Sequence, residues 1–298
     1  MKRVIILAIF LGAIFSFSKT TLAEKIVILY TGETHSDLYP CHCPIEPFGG
    51  LSRRATKIKE LRGVFPDLLV VDSGGFFAGG KLDEYTVNEA LDEQRTNINL
   101  QALSMMGYDA VAIGDEELNF GQDFLEQEIV KTKLQFLSSN VKVRGALDYV
   151  VKNISGVKIG ILGVSPAVPS QPQLKIAEPT ESIKATVEKL KNQEKVEIVI
   201  LLSHLGEQMD LQLLQEVAGI DFVICGHSIF GQDKETPVGN GVLLRPAWQG
   251  RKLGKLEIEL ENDKIKNHTV DLIGLGKDGP DDSEISTLLP SCFTDKDC

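Results

Sequence analysis

Carboxylate and imidazole side chains gather at one kind of place in this sequence, directly after short apolar runs. Glu33 and His35 follow KIVILY, Asp72 closes DLLVVD, and Asp115 and Glu116 follow YDAVAIG; His204 closes VEIVILLSH and His227 closes IDFVICGH. A lone His near a strand end is ordinarily a hydrogen-bonded surface or core residue. Three in equivalent positions, beside carboxylates, point to a metal site, because imidazole is a common metal ligand and carboxylates are its usual companions. His268 lies inside the last alternating run and reads as structural. Cys41-His42-Cys43 is a second candidate. Two thiols one residue apart can ligate a soft metal as thiolates or form a labile redox disulfide; equally, each can pair elsewhere or stay inert. Arg53 and Arg54 stand in the first turn of a helical run behind Gly49-Gly50. A helix start with guanidinium groups can hold an anion, and a solvated helix face is the plain alternative. Arg251, in WQGRKLG, is a further basic candidate.

Bringing such groups together requires strands that end at a common edge. The chain alternates short β-rich runs with helical ones: strands at 25–30, 67–72, 108–114, 135–140, 157–164, 196–204 and 220–227, and helices at 51–62, 121–132, 180–194 and 208–218. Thr86-Val87-Asn88-Glu89 has the form of a capping box opening a long helix that ends near Gly107. The runs 242–247, 255–260 and 264–273 read as a closing meander with a hairpin at Asn262-Asp263. Several strands are apolar on both faces, which marks a sheet covered on both sides in an α/β fold. Sites in such folds form at the carboxyl ends of strands, where the acids and imidazoles stand.

The 298 residues, 43% apolar and 24% charged, suit one large domain or two small ones. Residues 1–23 read as a signal peptide: Lys2 and Arg3, an apolar run over 4–17, then Thr21-Leu22-Ala23 for cleavage. The apolar run is shorter than the ~20 residues a spanning helix needs, and Glu24 stands where a lipoprotein would carry Cys. Export to the periplasm or the medium is therefore expected, with no membrane attachment once the leader is gone. Its removal takes away three bases (Lys2, Arg3 and Lys19) and no acid, so the formal charge of −11 becomes −14. That charge excludes nucleic acid as a partner and repels anionic membranes. A small anionic substrate would need a local positive feature such as a metal. Export permits disulfides; Cys292 and Cys298 flank a polar segment and are expected to pair, while Cys225 reads as buried packing. The segment 275–298 is expected to be a loosely ordered tail behind a domain over 24–274.

Quoted in order, ILYTGETHSDL with GGLSRRA, VVDSGG, MGYDAVAIGDEELNFG, LLSHLGE and IDFVICGHS resemble the exported 5′-nucleotidase type of calcineurin-like metallophosphoesterase, over about residues 25–274. The resemblance implies two facing mixed β-sheets flanked by helices in four layers, and a site where two metals activate a water and grip a phosphate. His35, His204 and His227 match its metal-binding histidines. Glu33 replaces the first Asp, Gly75 falls on the bridging carboxylate, Asp115 on the metal-binding Asn, Glu116 on the catalytic His and Ile229 on the final His. Asp115, His204 and His227 would then hold a single Zn, Mn or Fe ion. Glu33 and His35 would be left as a weak second site or as surroundings. Without a bridge, two cations would repel with little compensation, so at most one tightly held metal is expected unless Cys41 or Cys43 completes the second site; some exported relatives carry a similar Cys-x-Cys. Glu116 stands where a catalytic group belongs, next to Asp115. With an ordinary pKa of about 4.3 it would be ionised and repel phosphate. Two functions follow: a hydrolase of phosphate esters with a remodelled mononuclear site, or a metal-binding or thiol-redox protein that has lost hydrolysis. Nucleotidase members carry a second, C-terminal domain for the nucleobase, and the chain ends at Cys298, so a nucleotide substrate is not expected.

Overall fold

The computed structural model describes residues 24–45, 47–168, 171, 173–227, 233–262 and 264–291. Residues 1–23, read above as a signal peptide, and Ile229, Asp263, Cys292 and Cys298 lie outside the described residues. Among the described residues the strands form two six-stranded sheets. The first runs β12 (Lys264–Gly274), β11 (Lys252–Glu261), β1 (Glu24–Thr31), β2 (Leu69–Asp72), β3 (Ala110–Ala112), β4 (Phe136–Leu137). The second runs β5 (Tyr149–Ile154), β6 (Val157–Val164), β7 (Ile198–Ser203), β8 (Phe222–Cys225), β10 (Gly241–Leu244), β9 (Glu235–Val238). Strands β1 to β4 are mutually parallel, as are β6, β7, β8 and β10, and antiparallel strands edge both sets.

Alternation along each strand builds the layers. Ile26, Ile28 and Tyr30 of β1 and Leu69 and Val71 of β2 meet Ile159 and Ile161 of β6 and Ile198, Ile200 and Leu202 of β7 between the sheets. The opposite faces, Val27, Leu29 and Val70, cover Leu51, Ala55 and Ile58 of α1 (Leu51–Val64) and Leu100 and Leu103 of α2 (Glu89–Met106). Val199 and Leu201 of β7 pack on Ile183 and Val187 of α4 (Pro179–Lys189) and Leu213 and Leu214 of α5 (Glu207–Glu216), and α3 (Gln122–Lys131) completes the helical cover of the first sheet through Leu125 and Ile129. The expected architecture of two facing mixed sheets flanked by helices is thus the observed one. Each fully buried aliphatic side chain contributes roughly 1.5–3 kcal/mol, against about 0–1 for an exposed ion pair, so these three cores, not the surface charges, hold the layers together.

Several expectations are corrected. The cap of α2 is Asn88, whose side chain accepts from Leu91 N, while Thr86 Oγ1 donates to Asp92 2.8 Å away instead of closing a capping box. The closing meander is split: β11 and β12 pair beside β1, but β10 joins the other sheet next to β8. The expected strand over 135–140 shrinks to Phe136–Leu137, because Ser138 and Asn140 turn their side chains into a buried network with Ser165. The tail expected to be loose is anchored at several points as far as Pro290. Asp282 caps the short helix α6 (Ser283–Ser286), Ser52 Oγ on α1 donates to Asp282 O at 3.0 Å, Ile285 is buried, and Tyr39 donates to Pro290 O. The disulfide expectation is corrected as far as the described residues reach: no disulfide links two of the described cysteines, and the expected Cys292–Cys298 pair lies outside them.

Candidate metal centre

The carboxyl ends of β1, β2, β3, β7 and β8 meet where the two sheets face each other, and the His204 imidazole lies at their junction, fully buried. Its socket is lined by glycines from three strand ends. A Cβ on Gly74 would lie 2.8 Å from His204 Nδ1, one on Gly114 2.7 Å from Cδ2, one on Gly226 2.6 Å from Nδ1, and one on Gly75 3.0 Å from Cε1. His204 Nδ1 stands 3.0 Å from Ser73 O. A carbonyl accepts only, so Nδ1 carries the proton there, and Nε2 points into the centre.

Three carboxylates surround that nitrogen. Asp115 Oδ1 is 3.1 Å away, Glu116 Oε2 3.3 Å and Glu33 Oε1 3.4 Å. His227 Nδ1 reaches Asp115 Oδ1 at 3.6 Å. His35 lies on the far side, with Nε2 3.6 Å from Glu33 Oε2 and Nδ1 3.8 Å from Glu116 Oε1. Glu33 Oε2, both nitrogens of His35, Asp115 Oδ1, Glu116 Oε2 and His204 Nε2 are buried and make no hydrogen bond. An unpaired buried polar atom costs about 1–3 kcal/mol, so leaving all of them bare would offset a large part of a typical domain stability of about 5–15 kcal/mol. Atoms that share an ion at ~2.0–2.2 Å stand roughly 3.0–3.5 Å from one another, the spacing seen around His204 Nε2. The donors form three overlapping groups, Glu33-His204-His227, Glu33-His35-Glu116 and Asp115-Glu116-His204. These residues can hold a divalent metal ion.

Protonation follows the same geometry. Burial pushes Glu33 up to about 7. Burial alone would lower His204, but the Glu33 charge and the contacts from Asp115 and Glu116 carry it well above the usual imidazole value. Burial opposes ionisation of Asp115, yet His204 and His227 hold it below the usual carboxylate range. His35, dominated by burial, is lowered. Without a cation the cluster keeps a proton on His204.

The loops that carry these groups are strained and tied down. Glu33, His35 and His227 have φ of 52°, 46° and 53°, in the left-handed region, at a cost of about 1–3 kcal/mol each. Glu33 N and His35 N donate to Gly74 O and Gly75 O, and Gln249 N donates to Glu33 O. On α2, Arg95 donates to His35 O at 2.9 Å, while Asn99 Nδ2 donates to Phe76 O. Trp248 packs against His35 with the rings tilted, their centres 4.7 Å apart. Glu117 accepts from the backbone N–H of Gly75, Phe76, Phe77 and Gly114, binding the β2 loop to the β3 loop. Asp72, though it ends β2, bonds Thr31 Oγ1 and Gly74 N and belongs to no ligand group among the described residues.

The sequence candidates divide. Glu33, His35, Asp115, Glu116, His204 and His227 are brought together, with Glu116 buried between the imidazoles of His35 and His204. Cys41 and Cys43 join no ligand group among the described residues; Cys41 Sγ accepts from Phe48 N in an arm over 40–49. Arg53 donates to Pro47 O and lies near Asp281, on the tail side. Arg54 is fully buried, against Gly250 and near Asp72, where it offsets part of burial's upward push on that carboxylate. Arg251 donates to Gln249. The glycine socket and Glu117 went unrecognised; four glycines placed directly after strand ends were the available signal.

No family model matches the chain. It is 28% identical over 271 residues to 5′-nucleotidase of Rattus norvegicus, covering 82% of this chain and 46% of that one. The structure superposes on a 5′-nucleotidase precursor from Thermus thermophilus with a TM-score of 0.76 at 20% identity, covering 89% of this chain and 57% of that one. A calcineurin-like phosphoesterase from Bacillus subtilis gives 0.73 at 21%, covering 90% and 96%. The chain has the calcineurin-like phosphoesterase fold. It spans less than half the length of the rat enzyme.

Gly226→Ala is expected to push His204 from its socket, since the new methyl would also meet Ser73 O at 2.6 Å. Denaturant unfolding should show a loss of about 1–3 kcal/mol together with weaker Mn(II) binding, whereas Gly63→Ala, with open space in α1, should be neutral or stabilising. Equal behaviour of the two variants would contradict the socket. Metal binding needs a free His204 Nε2 lone pair, and the raised pKa means a proton sits there near neutrality. Calorimetric titration with Mn(II) at pH 7 in buffers of different ionisation enthalpy should therefore show release of about one proton and an affinity that falls as pH falls; a buffer-independent heat would count against it.

Proposed function

We propose that the chain is an exported, metal-dependent hydrolase of small phosphate esters. The observation that carries this reading is the convergence of buried, hydrogen-bond-free donor atoms from Glu33, His35, Asp115, Glu116 and His204 at the strand ends of a calcineurin-like phosphoesterase fold. A divalent ion in that position supplies positive charge for a phosphoryl group and a water nucleophile at neutral pH. The residues have separable tasks. Ser73 O fixes the His204 tautomer so that Nε2 presents a lone pair. His227 N donates to Glu33 Oε1 at 2.5 Å and holds that carboxylate in place. Glu33, His35, Glu116 and His204 are shut away from solvent, which strengthens every charge interaction among them. Asp115 and His227, with side chains 38% and 45% exposed, form the open mouth where an anionic ester would enter.

The names of the relatives support phosphate esters as the substrate class. Among the described residues no helix is long and apolar enough to cross a membrane.

Hydrolysis of p-nitrophenyl phosphate and bis(p-nitrophenyl) phosphate with Mn(II) or Zn(II) tests the reaction. Removing a ligand should cost at least the ~10–100-fold typical of an outer-shell partner, so His204→Ala is expected to lose activity by more than that. No turnover above the His204→Ala background would sink the hydrolase reading. Export is tested by N-terminal sequencing of protein recovered outside the cytoplasm: a start at Glu24 is expected, and a retained leader would refute it.

A further inference from the structure

We infer that Glu33 and Glu116 together bridge a pair of divalent cations and so replace the carboxylate absent at Gly75; this rests on reading the cluster as the metal centre of the hydrolase proposed above. Each of the two carboxylates spans the same two imidazoles, meeting at the one Nε2 of His204 and facing opposite ring nitrogens of His35. Glu33 directs Oε2 to His35 Nε2 at 3.6 Å and Oε1 to His204 Nε2 at 3.4 Å. Glu116 directs Oε1 to His35 Nδ1 at 3.8 Å and Oε2 to His204 Nε2 at 3.3 Å. His35 with Glu33 and Glu116 is one complete three-donor group, and His204 with Asp115 and Glu116 is another. Both His35 ring contacts are too long for a hydrogen bond, and both ring nitrogens are buried without one. A neutral imidazole has one N–H, so a lone pair of His35 faces a carboxylate oxygen unless a cation stands between them.

The departures in sequence act as a set. A Cβ on Gly75 would lie 2.8 Å from Glu33 Oε1 and 3.1 Å from Glu33 Cδ. The Glu33 carboxylate therefore fills the space a side chain on Gly75 would take, and the extra methylene of Glu over Asp lets it reach there. A Cβ on Gly80 would lie 2.7 Å from Glu116 Cγ, so that glycine leaves Glu116 room to turn inward.

Charge also favours two ions. Glu33, Asp115 and Glu116 bring three negative charges to neutral imidazoles. One divalent cation leaves the centre with a net charge of −1, which repels a phosphate ester; two leave +1, which attracts it. The oxygen-rich donor set suits Mn(II) or Fe(II) over softer ions.

The test uses Mn(II) and the chain without its leader. Equilibrium dialysis with elemental analysis should find two Mn per chain, and low-temperature EPR should show an exchange-coupled pair. Glu33→Ala and Glu116→Gln should each fall to one Mn with an uncoupled six-line signal. One uncoupled Mn in the unmutated protein, or a coupled pair that survives Glu33→Ala, would overturn the inference. Metal count and coupling are read without substrate. An inactive protein with a coupled pair thus refutes the hydrolase alone, and an active protein with one Mn refutes the bridge alone.

Discussion

The His204 ring can occupy the junction of the two sheets only because three backbone segments approach it without side chains. Gly74, Gly75, Gly114 and Gly226 stand at the ends of β2, β3 and β8, and a methyl group on any of the four would come within 3.0 Å of the ring. Close-packed interiors do not absorb such overlaps cheaply. The ring therefore fixes how nearly the loops of the first sheet approach those of the second, and the loops in turn fix the ring. The bond from Nδ1 to Ser73 O converts this packing into chemistry, since it leaves Nε2 directed at Glu33, Asp115 and Glu116.

Around that point the protein accepts unfavourable features that have no explanation in stability alone. Glu33, His35 and His227 sit in left-handed backbone, and carboxylates face one another across buried imidazoles. Strain and bare polar atoms persist only where the surroundings over-determine them. Here Glu117 clamps the β2 and β3 loops through four backbone donors, and the polar face of α2 holds the β1 and β2 loops through Arg95 and Asn99. Arg95 is itself held by Asp83 and Asp92. The rigidity of the centre thus comes from residues that touch no ligand position.

The cysteine-bearing arm lies apart from this arrangement. It is fastened at its base by the Pro40–Gly49 bridge and carries His42 towards Tyr85. The packed tail closes the other side of α1, where Ser52, Lys59 and Arg53 all engage residues beyond β12. Arg53 thus engages the tail side of α1, Arg54 lies buried near Asp72, and Cys41 and Cys43 belong to no ligand group among the described residues.

The layers and the chemical inventory were readable in the chain because both are local. Apolar runs with period two, the helix ending at Gly107, and acids and imidazoles placed directly after strands depend on residues near in sequence. The same locality misled at Thr86, where Asn88 competed successfully for the cap, and at the closing strands, where pairing partners were chosen by the other sheet. Tertiary structure decided that the Glu33 carboxylate fills the space beside Gly75, that Glu116 turns inward between two imidazoles and that Arg54 is buried. Those outcomes depend on side-chain direction and on free volume between segments distant in sequence, and neither quantity exists until the two sheets have closed on the His204 ring.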